Sequence, residues 1–121
     1  AFGIDIMAHK SALDNNMKTM AVLAHGLDRI YPPAHRNVAG KIMQEGGTLI
    51  TEYRYGSEPS AAHFPERNRI VAGMTDGTFV VESKVKGGAM ITANLSFEYD
   101  RDVFALPGRA SDTGYRRVGR P

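Results

Sequence analysis

Residues 77–89 read GTFVVESKVKGGA, and residues 90–108 continue as MITANLSFEYDRDVFALPG. The first part, Thr78 to Glu82, is β-branched and aromatic, which is typical of a buried strand. Two glycines then open an apolar helix from about Ala89 to Tyr99, and Val103 to Leu106 has the pattern of another strand. This layout suits an anion, because a helix start offers N–H groups and glycine lets a phosphate approach closely.

The chain upstream repeats this alternation of short apolar runs and amphipathic segments. The pattern predicts three helices: one that Asp5 would cap and that runs to about Met17, one from Ala34 or His35 to Gly46-Gly47, and one from about Pro65 to Met74. It also predicts strands at 20–24 and 48–51. Four such strands alternating with helices indicate an α/β, Rossmann-like fold: a mainly parallel sheet with helices on both faces. Ligands of such sheets bind at the carboxyl ends of the strands.

Helical spacing also predicts which apolar side chains are buried. They are Ile6, Leu13 and Met17 in the first helix, Val38, Ile42 and Met43 in the second, and Met90, Ile91, Leu95 and Phe97 in the last.

Composition excludes several classes of protein. The chain has 121 residues, the size of one ordinary domain, and it has no Cys, so disulfides and thiolate metal sites are excluded. No apolar run approaches a membrane span and no signal peptide is visible. The absence of Cys suits the reducing cytosol, so a cytoplasmic location is expected. The chain carries 15 basic and 13 acidic residues. Without the tail 109–121 the net charge is −1, so a nucleic-acid interpretation must depend on local clusters.

Arg67, Asn68 and Arg69 form one such cluster at a predicted helix start. Two guanidinium groups flanking an amide are good phosphate donors, although a solvated helix end with Arg67 paired to Glu66 explains them equally simply. The two arginines are roughly 200° apart around the helix, so they cannot face the same wall of a pocket. We expect Arg67 to contact phosphate, because it is nearer the helix N-terminus, and Arg69 to pair with a carboxylate such as Glu82 or Glu52.

The turn 84–89 forms the second cluster. It follows a strand and opens a helix, which is the context of an anion site, but it matches neither the Walker loop nor GxGxxG. A plain tight turn is the alternative.

Other side chains give weaker signals. His9, His25, His35 and His63 lack the spacing of a zinc site, so no metal is expected. Asp28, Glu52 and Glu82 could be acid and base, but no nucleophile accompanies them, so catalysis is the minority interpretation. The loop aromatics Tyr31, Tyr53, Tyr55 and Phe64 could stack on bases or seal the edge of the core.

Taken in order, several motifs resemble the DNA-processing protein A family, also called DprA or Smf. The pieces that carry the resemblance are Gly3-Ile4-Asp5 with Ala8-His9, Gly26-Leu27-Asp28 with Tyr31-Pro32, Glu52-Tyr53, the run from Phe64 to Gly73, Val80-Val81-Glu82, the run from Gly87 to Ala93, and the run from Arg101 to Gly108. Each piece is weak alone, but the ordered set is specific.

The resemblance implies an extended Rossmann domain that binds single-stranded DNA. It implies a homodimer in the full-length protein, which protects incoming DNA and loads the RecA recombinase during natural transformation, with no cofactor and no enzymatic turnover. The family's phosphate pocket would include Arg67, Asn68, Arg69 and the turn Lys86-Gly87-Gly88-Ala89. Arg36 or His35 would replace a lysine that the family often has after its Tyr-Pro pair.

The resemblance also predicts the extent of the domain. Residues 1–109 would be an incomplete Rossmann-like domain, because the family's first strand and its Gly-Ser-Arg turn would precede Ala1. Residues 110–121 depart from the family pattern and are expected to form an irregular tail. The alternative function is a Rossmann-like enzyme that processes a nucleotide or another phosphorylated ligand.

Overall fold

In the computed structural model, which describes residues 3–81 and 88–106, strands alternate with helices. The described elements are α1 (Ile4–Asp14), β1 (Met20–Val22), a 3₁₀ turn (Pro33–His35), α2 (Arg36–Gln44), β2 (Thr48–Ile50), α3 (His63–Met74), β3 (Gly77–Val80), α4 (Gly88–Glu98) and β4 (Asp102–Ala105). Each strand and helix predicted from the sequence is present, with ends that differ by a few residues. The predicted boundary near residue 109 lies outside the described residues.

The chain divides into two compact units, residues 1–63 and 64–121. In the first, β1 pairs in parallel with β2, and in the second, β3 pairs in parallel with β4. The prediction of parallel strands joined by helices is therefore confirmed. Hydrogen bonds join the described strands as two two-stranded sheets, and each sheet holds strands that are consecutive in the chain. Apolar patterning identifies a strand but does not determine its neighbour, so the pairing of β1 with β2 and of β3 with β4 comes from the structure.

The core of the first unit lies where α2 packs on β2 and α1 packs on α2. Ile42 and Leu13 are buried there, as predicted. Met43 and Met17, which were predicted to be buried, are exposed. Met43 follows Ile42 and so lies about 100° around the helix, while Ala39, one turn before, takes the inner position. Met17 lies beyond the end of α1.

The ends of α1 and α2 show how the chain breaks its helices. Gly46 has φ 84° after α2, and the Gly47 N–H donates to the Ile42 carbonyl over 2.8 Å, so the predicted glycine C-cap is confirmed. The predicted Asp5 cap is wrong. The helix begins at Ile4 after Gly3, and Asp5 lies in the first turn. Its negative charge there still stabilises the helix by interacting with the positive end of the helix dipole.

In the second unit, α4 packs on both β3 and β4. Its buried residues are small or polar, namely Thr92, Ala93 and Ser96. Ser96 makes a 2.6 Å hydrogen bond with Thr78 of β3. Met90 and Phe97 are partly buried against Val80 and Ala93, whereas Ile91, predicted to be buried, is exposed.

The opposite face of the β3–β4 pair carries exposed aromatic residues. Phe79 and Phe104 are partners in the ladder and are 60% and 55% exposed. Within residues 3–81 and 88–106, no helix combines the length and the apolar character that a membrane crossing requires.

Candidate nucleic-acid interface

The start of α3 holds the basic cluster predicted from the sequence. The guanidinium carbon of Arg67 lies 5.7 Å from the centre of the Phe64 ring, within the range of a cation–π contact. The Nε of Arg67 also donates to Oδ1 of Asn68 over 3.1 Å. These two contacts fix the direction of the guanidinium before any ligand arrives.

Asn68 connects this cluster to α4. Its Nδ2 donates to the carbonyl of Gly88 over 3.4 Å, and Oγ1 of Thr92 donates to the same carbonyl over 3.3 Å. Gly88 and Ala89 open α4, where the first N–H groups have no partner within the helix and the dipole is positive. The structure thus brings together Arg67, Asn68 and the start of α4, three parts of the predicted pocket.

The two arginines differ in exposure. Arg67 is half-buried and Arg69 is exposed, as expected for residues on different sides of one helix. The carboxylate partner expected for Arg69 stays a prediction: Glu52 is exposed, and Glu82 lies outside the described residues.

The remaining predicted site residues fall into two groups. Lys86 and Gly87 lie outside the described residues. His35 and Arg36 belong to the first unit, where one ends the 3₁₀ turn and the other begins α2. Burial lowers the pKa of His35, and the charge of Lys10 lowers it further. A neutral imidazole cannot replace the charge of a lysine, so the exposed Arg36 is the better substitute.

The carboxyl ends of β1 and β2 form a second region, at the edge of the sheet where the sequence predicted that ligands bind. Oγ1 of Thr51 donates to the carbonyl of buried His25 over 2.7 Å and accepts the Tyr53 N–H over 3.0 Å. The Gly26 N–H donates to the Ser57 carbonyl over 2.9 Å. These bonds join the loop after β1 to the loop after β2.

Asp28 strengthens this junction. Its Oδ1 accepts the Gly56 N–H over 2.8 Å, and its Oδ2 accepts two bonds from Arg29, at 2.8 and 3.0 Å. The Gly56 N–H, followed by the Arg29 guanidinium, lowers the pKa of Asp28. A carboxylate held by two partners is a poor proton acceptor, so Asp28 is a structural clamp, and the catalytic interpretation loses one of its candidates.

The structure separates the loop aromatics that sequence analysis had treated alike. Tyr53 stacks on His63 with ring centres 4.0 Å apart, and Nδ1 of His63 is hydrogen-bonded to the Ala24 carbonyl over 3.0 Å. Tyr53 therefore seals the first unit. Tyr55, two residues later, is 81% exposed. A signal for this was present in the sequence, because Gly56 directly after it indicates a turn.

Histidines and carboxylates do not gather into a metal site in the part of the chain that the structure describes. His9 instead makes a 2.7 Å hydrogen bond with Oγ1 of Thr19.

The molecule is thus an α/β protein of parallel βαβ units, with arginine donors beside a helix start. The model of one family, described as DNA recombination-mediator protein A, matches residues 1–117, and the chain belongs to that family.

Curated relatives agree. The chain is 42% identical over 114 residues to Protein Smf of Escherichia coli, which covers 94% of this chain and 30% of that protein. It is 44% identical over 112 residues to the DNA processing protein DprA of Streptococcus pneumoniae, covering 93% of this chain and 39% of that one. The chain therefore spans about a third of the length of these relatives.

Solved structures show the same fold. DNA processing protein A of Streptococcus pneumoniae superposes with a TM-score of 0.84 at 42% identity, over 93% of this chain and 39% of that one. The structure of DNA processing protein A from Helicobacter pylori, described as giving insight into a single-stranded DNA binding mode, superposes with a TM-score of 0.84 at 33% identity. The match covers 93% of this chain and 51% of that one.

Proposed function

We propose that this chain is part of a recombination mediator and binds single-stranded DNA through its phosphates. The observation that carries the proposal is the hydrogen bond from Asn68 to Gly88, which holds the arginine-bearing start of α3 against the start of α4. Guanidinium groups and helix N-termini are both phosphate ligands. The DNA-binding description of the Helicobacter pylori relative supports the same ligand.

The wider role follows the family. In this proposal the full-length protein is a cytoplasmic homodimer that protects incoming single-stranded DNA and loads RecA during natural transformation. It carries out no catalytic turnover. The proposed DNA contacts are Arg67, Asn68, Arg69, the turn Lys86-Gly87-Gly88-Ala89, and Arg36 or His35.

Fluorescence polarisation with labelled oligo-dT over a salt series tests the proposal. We expect binding whose logarithmic affinity falls linearly with the logarithm of salt concentration, by about 0.7 for each phosphate contacted. Failure to bind oligo-dT even at low salt would contradict the proposal and favour an enzyme that takes a small phosphorylated ligand.

A further inference from the structure

Among the described residues of the first unit, the most exposed aromatic side chain, Tyr55, lies on a hydrogen-bonded turn. The Ser57 N–H donates to the Arg54 carbonyl over 2.9 Å and closes a turn of four residues, Arg54 to Ser57. Gly56, in the third position, has φ 94°, which is the geometry of a type II turn and favours glycine. Tyr55 occupies the second position, at the tip, and is 81% exposed.

This turn is held from several directions. The Gly56 N–H donates to Asp28, and Nη2 of Arg29 donates to the Gly56 carbonyl over 3.4 Å. The Ser57 carbonyl accepts the Gly26 N–H. Because Gly26, Asp28 and Arg29 of the loop after β1 bind the turn, the backbone that carries Tyr55 has little freedom to move.

Packing does not explain an aromatic residue at this position. Tyr53 already seals the neighbouring core by stacking on His63, so the Tyr55 ring adds nothing to that contact. An exposed ring on a rigid turn loses little conformational freedom when it binds, which is the property of an aromatic anchor in a binding surface. Arg54, adjacent to it, is also exposed and supplies a positive charge.

The turn lies at the edge of the sheet where ligands of parallel α/β folds bind. The turn follows β2 and is hydrogen-bonded to the loop after β1, so it lies at the carboxyl ends of these two parallel strands. Unpaired bases offer flat faces that stack on tyrosine, and a nearby arginine can accompany the backbone of the strand.

We propose that Tyr55 stacks on an unpaired base of single-stranded DNA. This rests on the proposed function and extends it, because the contacts proposed above recognise phosphate and this one recognises a base. Stacking requires the planar face of the ring and does not require the tyrosine hydroxyl.

The test compares Tyr55→Leu with Tyr55→Phe in the 121-residue chain. The probes are labelled oligo-dT and an abasic oligonucleotide of the same length, which keeps the phosphates and lacks the bases. We expect Tyr55→Leu to weaken oligo-dT binding about 5- to 150-fold, the range of one stacking contact, without changing the salt slope. Tyr55→Phe should stay within about twofold of the parent, and neither variant should change binding to the abasic probe.

A fluorescent variant gives a direct readout. The chain has no Trp, so Tyr55→Trp introduces a single indole, whose emission can be excited apart from that of the remaining tyrosines. We expect oligo-dT to quench it by stacking, and the abasic probe to leave it unchanged. Met43→Trp is the matched control: Met43 is exposed near the end of α2, which precedes the start of β2 and so lies at the opposite edge of the sheet. Its emission should not respond.

The outcomes separate the two proposals. If Tyr55→Leu binds oligo-dT as the parent does, the stacking inference is overturned and the proposed function stands; the ring would then be available to a protein partner. An equal loss on the abasic probe would also overturn it, because the contact would be to the backbone. If the parent binds neither probe, the proposed function fails and the stacking inference fails with it.

Discussion

The loops after β1 and β2 differ in construction from the paired starts of α3 and α4. At the first region, buried polar groups and backbone bonds fill the space so closely that a Cβ on Gly26 would collide with the Arg54 carbonyl and lie 2.9 Å from the Gly56 nitrogen. At the second, the nearest atom of the described residues to a Cβ on Gly88 would be Asn68 Nδ2, at 3.9 Å. The first region is closely packed and presents the Tyr55 ring. At the second, the described side chains leave an added Cβ in ordinary van der Waals contact.

The largest effect should come from filling the space at Gly26. Gly26→Ala forces backbone apart at a site that cannot yield, and we expect it to lower the free energy of unfolding by about 3 kcal/mol. Gly88→Ala should change it by less than about 0.5 kcal/mol. Urea denaturation measures both, and Gly40→Ala, in the middle of α2 with open space around it, is a control that should gain about 0.5–1 kcal/mol.

A larger side chain at Gly88 should affect DNA binding. Gly88→Val should keep the fold and weaken oligo-dT binding, because a branched side chain would stand where a phosphate approaches the start of α4.

In the urea experiment, equal destabilisation by Gly26→Ala and Gly88→Ala would mean that the two regions are packed alike.

Two threonines sharpen the contrast. Thr51→Val removes a hydroxyl that joins two segments and leaves the His25 carbonyl and the Tyr53 N–H without that partner, so we expect a loss of about 1–3 kcal/mol. Thr92→Val removes a bond within the first turn of α4, back to the Gly88 carbonyl. Such a local bond contributes little to helix stability, so the expected change is within about 0.5 kcal/mol. Similar losses in the two variants would contradict the assignment of Thr51 as a junction.

Sequence patterns captured the elements that depend on local periodicity and chain breaks. The glycines after α2, the strand run at 77–80 and the start of α4 needed only local information. Prediction of buried residues failed at Met43 and Ile91 because burial depends on which side of a helix meets its neighbours. A helical pattern alone does not determine that side, and in α4 the buried positions hold the small or polar residues Thr92, Ala93 and Ser96.

The candidate site was predicted in part for the same reason. A basic run and a Gly-Gly turn are visible along the chain, but the bond from Asn68 to Gly88 joins residues 20 positions apart. The clamp between Asp28 and Gly56 spans 28 positions, and nothing in either segment alone indicates it. Long-range polar contacts of this kind need the fold.

The arginines of α3 test the second region with a smaller effect. If Arg67 contacts a phosphate, Arg67→Ala should reduce the salt slope of oligo-dT binding by about one unit or slightly less. Its stability should fall by only about 0.5–1 kcal/mol through the lost contact with Phe64. Arg69→Ala is the comparison variant: the slope should also fall if Arg69 contacts a phosphate, and it should hold if Arg69 instead pairs with a carboxylate. An unchanged slope in both variants would remove α3 from the DNA site.

The smallest expected effect is a dependence on pH confined to the first unit. Burial lowers the pKa of His9, more strongly than Asp5 raises it, and the nearby His35 lowers it further. The pKa of His35 is lowered as well. Both groups therefore bind protons less readily in the folded chain than in the unfolded chain, whose histidines titrate near pH 6.5. The stabilisation is complete above about pH 6.5 and is lost as pH falls toward the lowered folded pKa values.

Hydrogen exchange at pH 7 and pH 5, corrected for the intrinsic exchange rate, resolves this by residue. Amides of α1 and β1 should lose protection at pH 5. Asp28 does not contribute in this window, because its pKa is lowered from an ordinary value of 3.8 and its clamp stays charged until the solution is more acidic. His9→Gln keeps a hydrogen-bonding group near Thr19 without a titrating charge, so it should flatten the pH dependence and leave the part due to His35. A loss of protection that persists unchanged in His9→Gln would show that His9 is not its source.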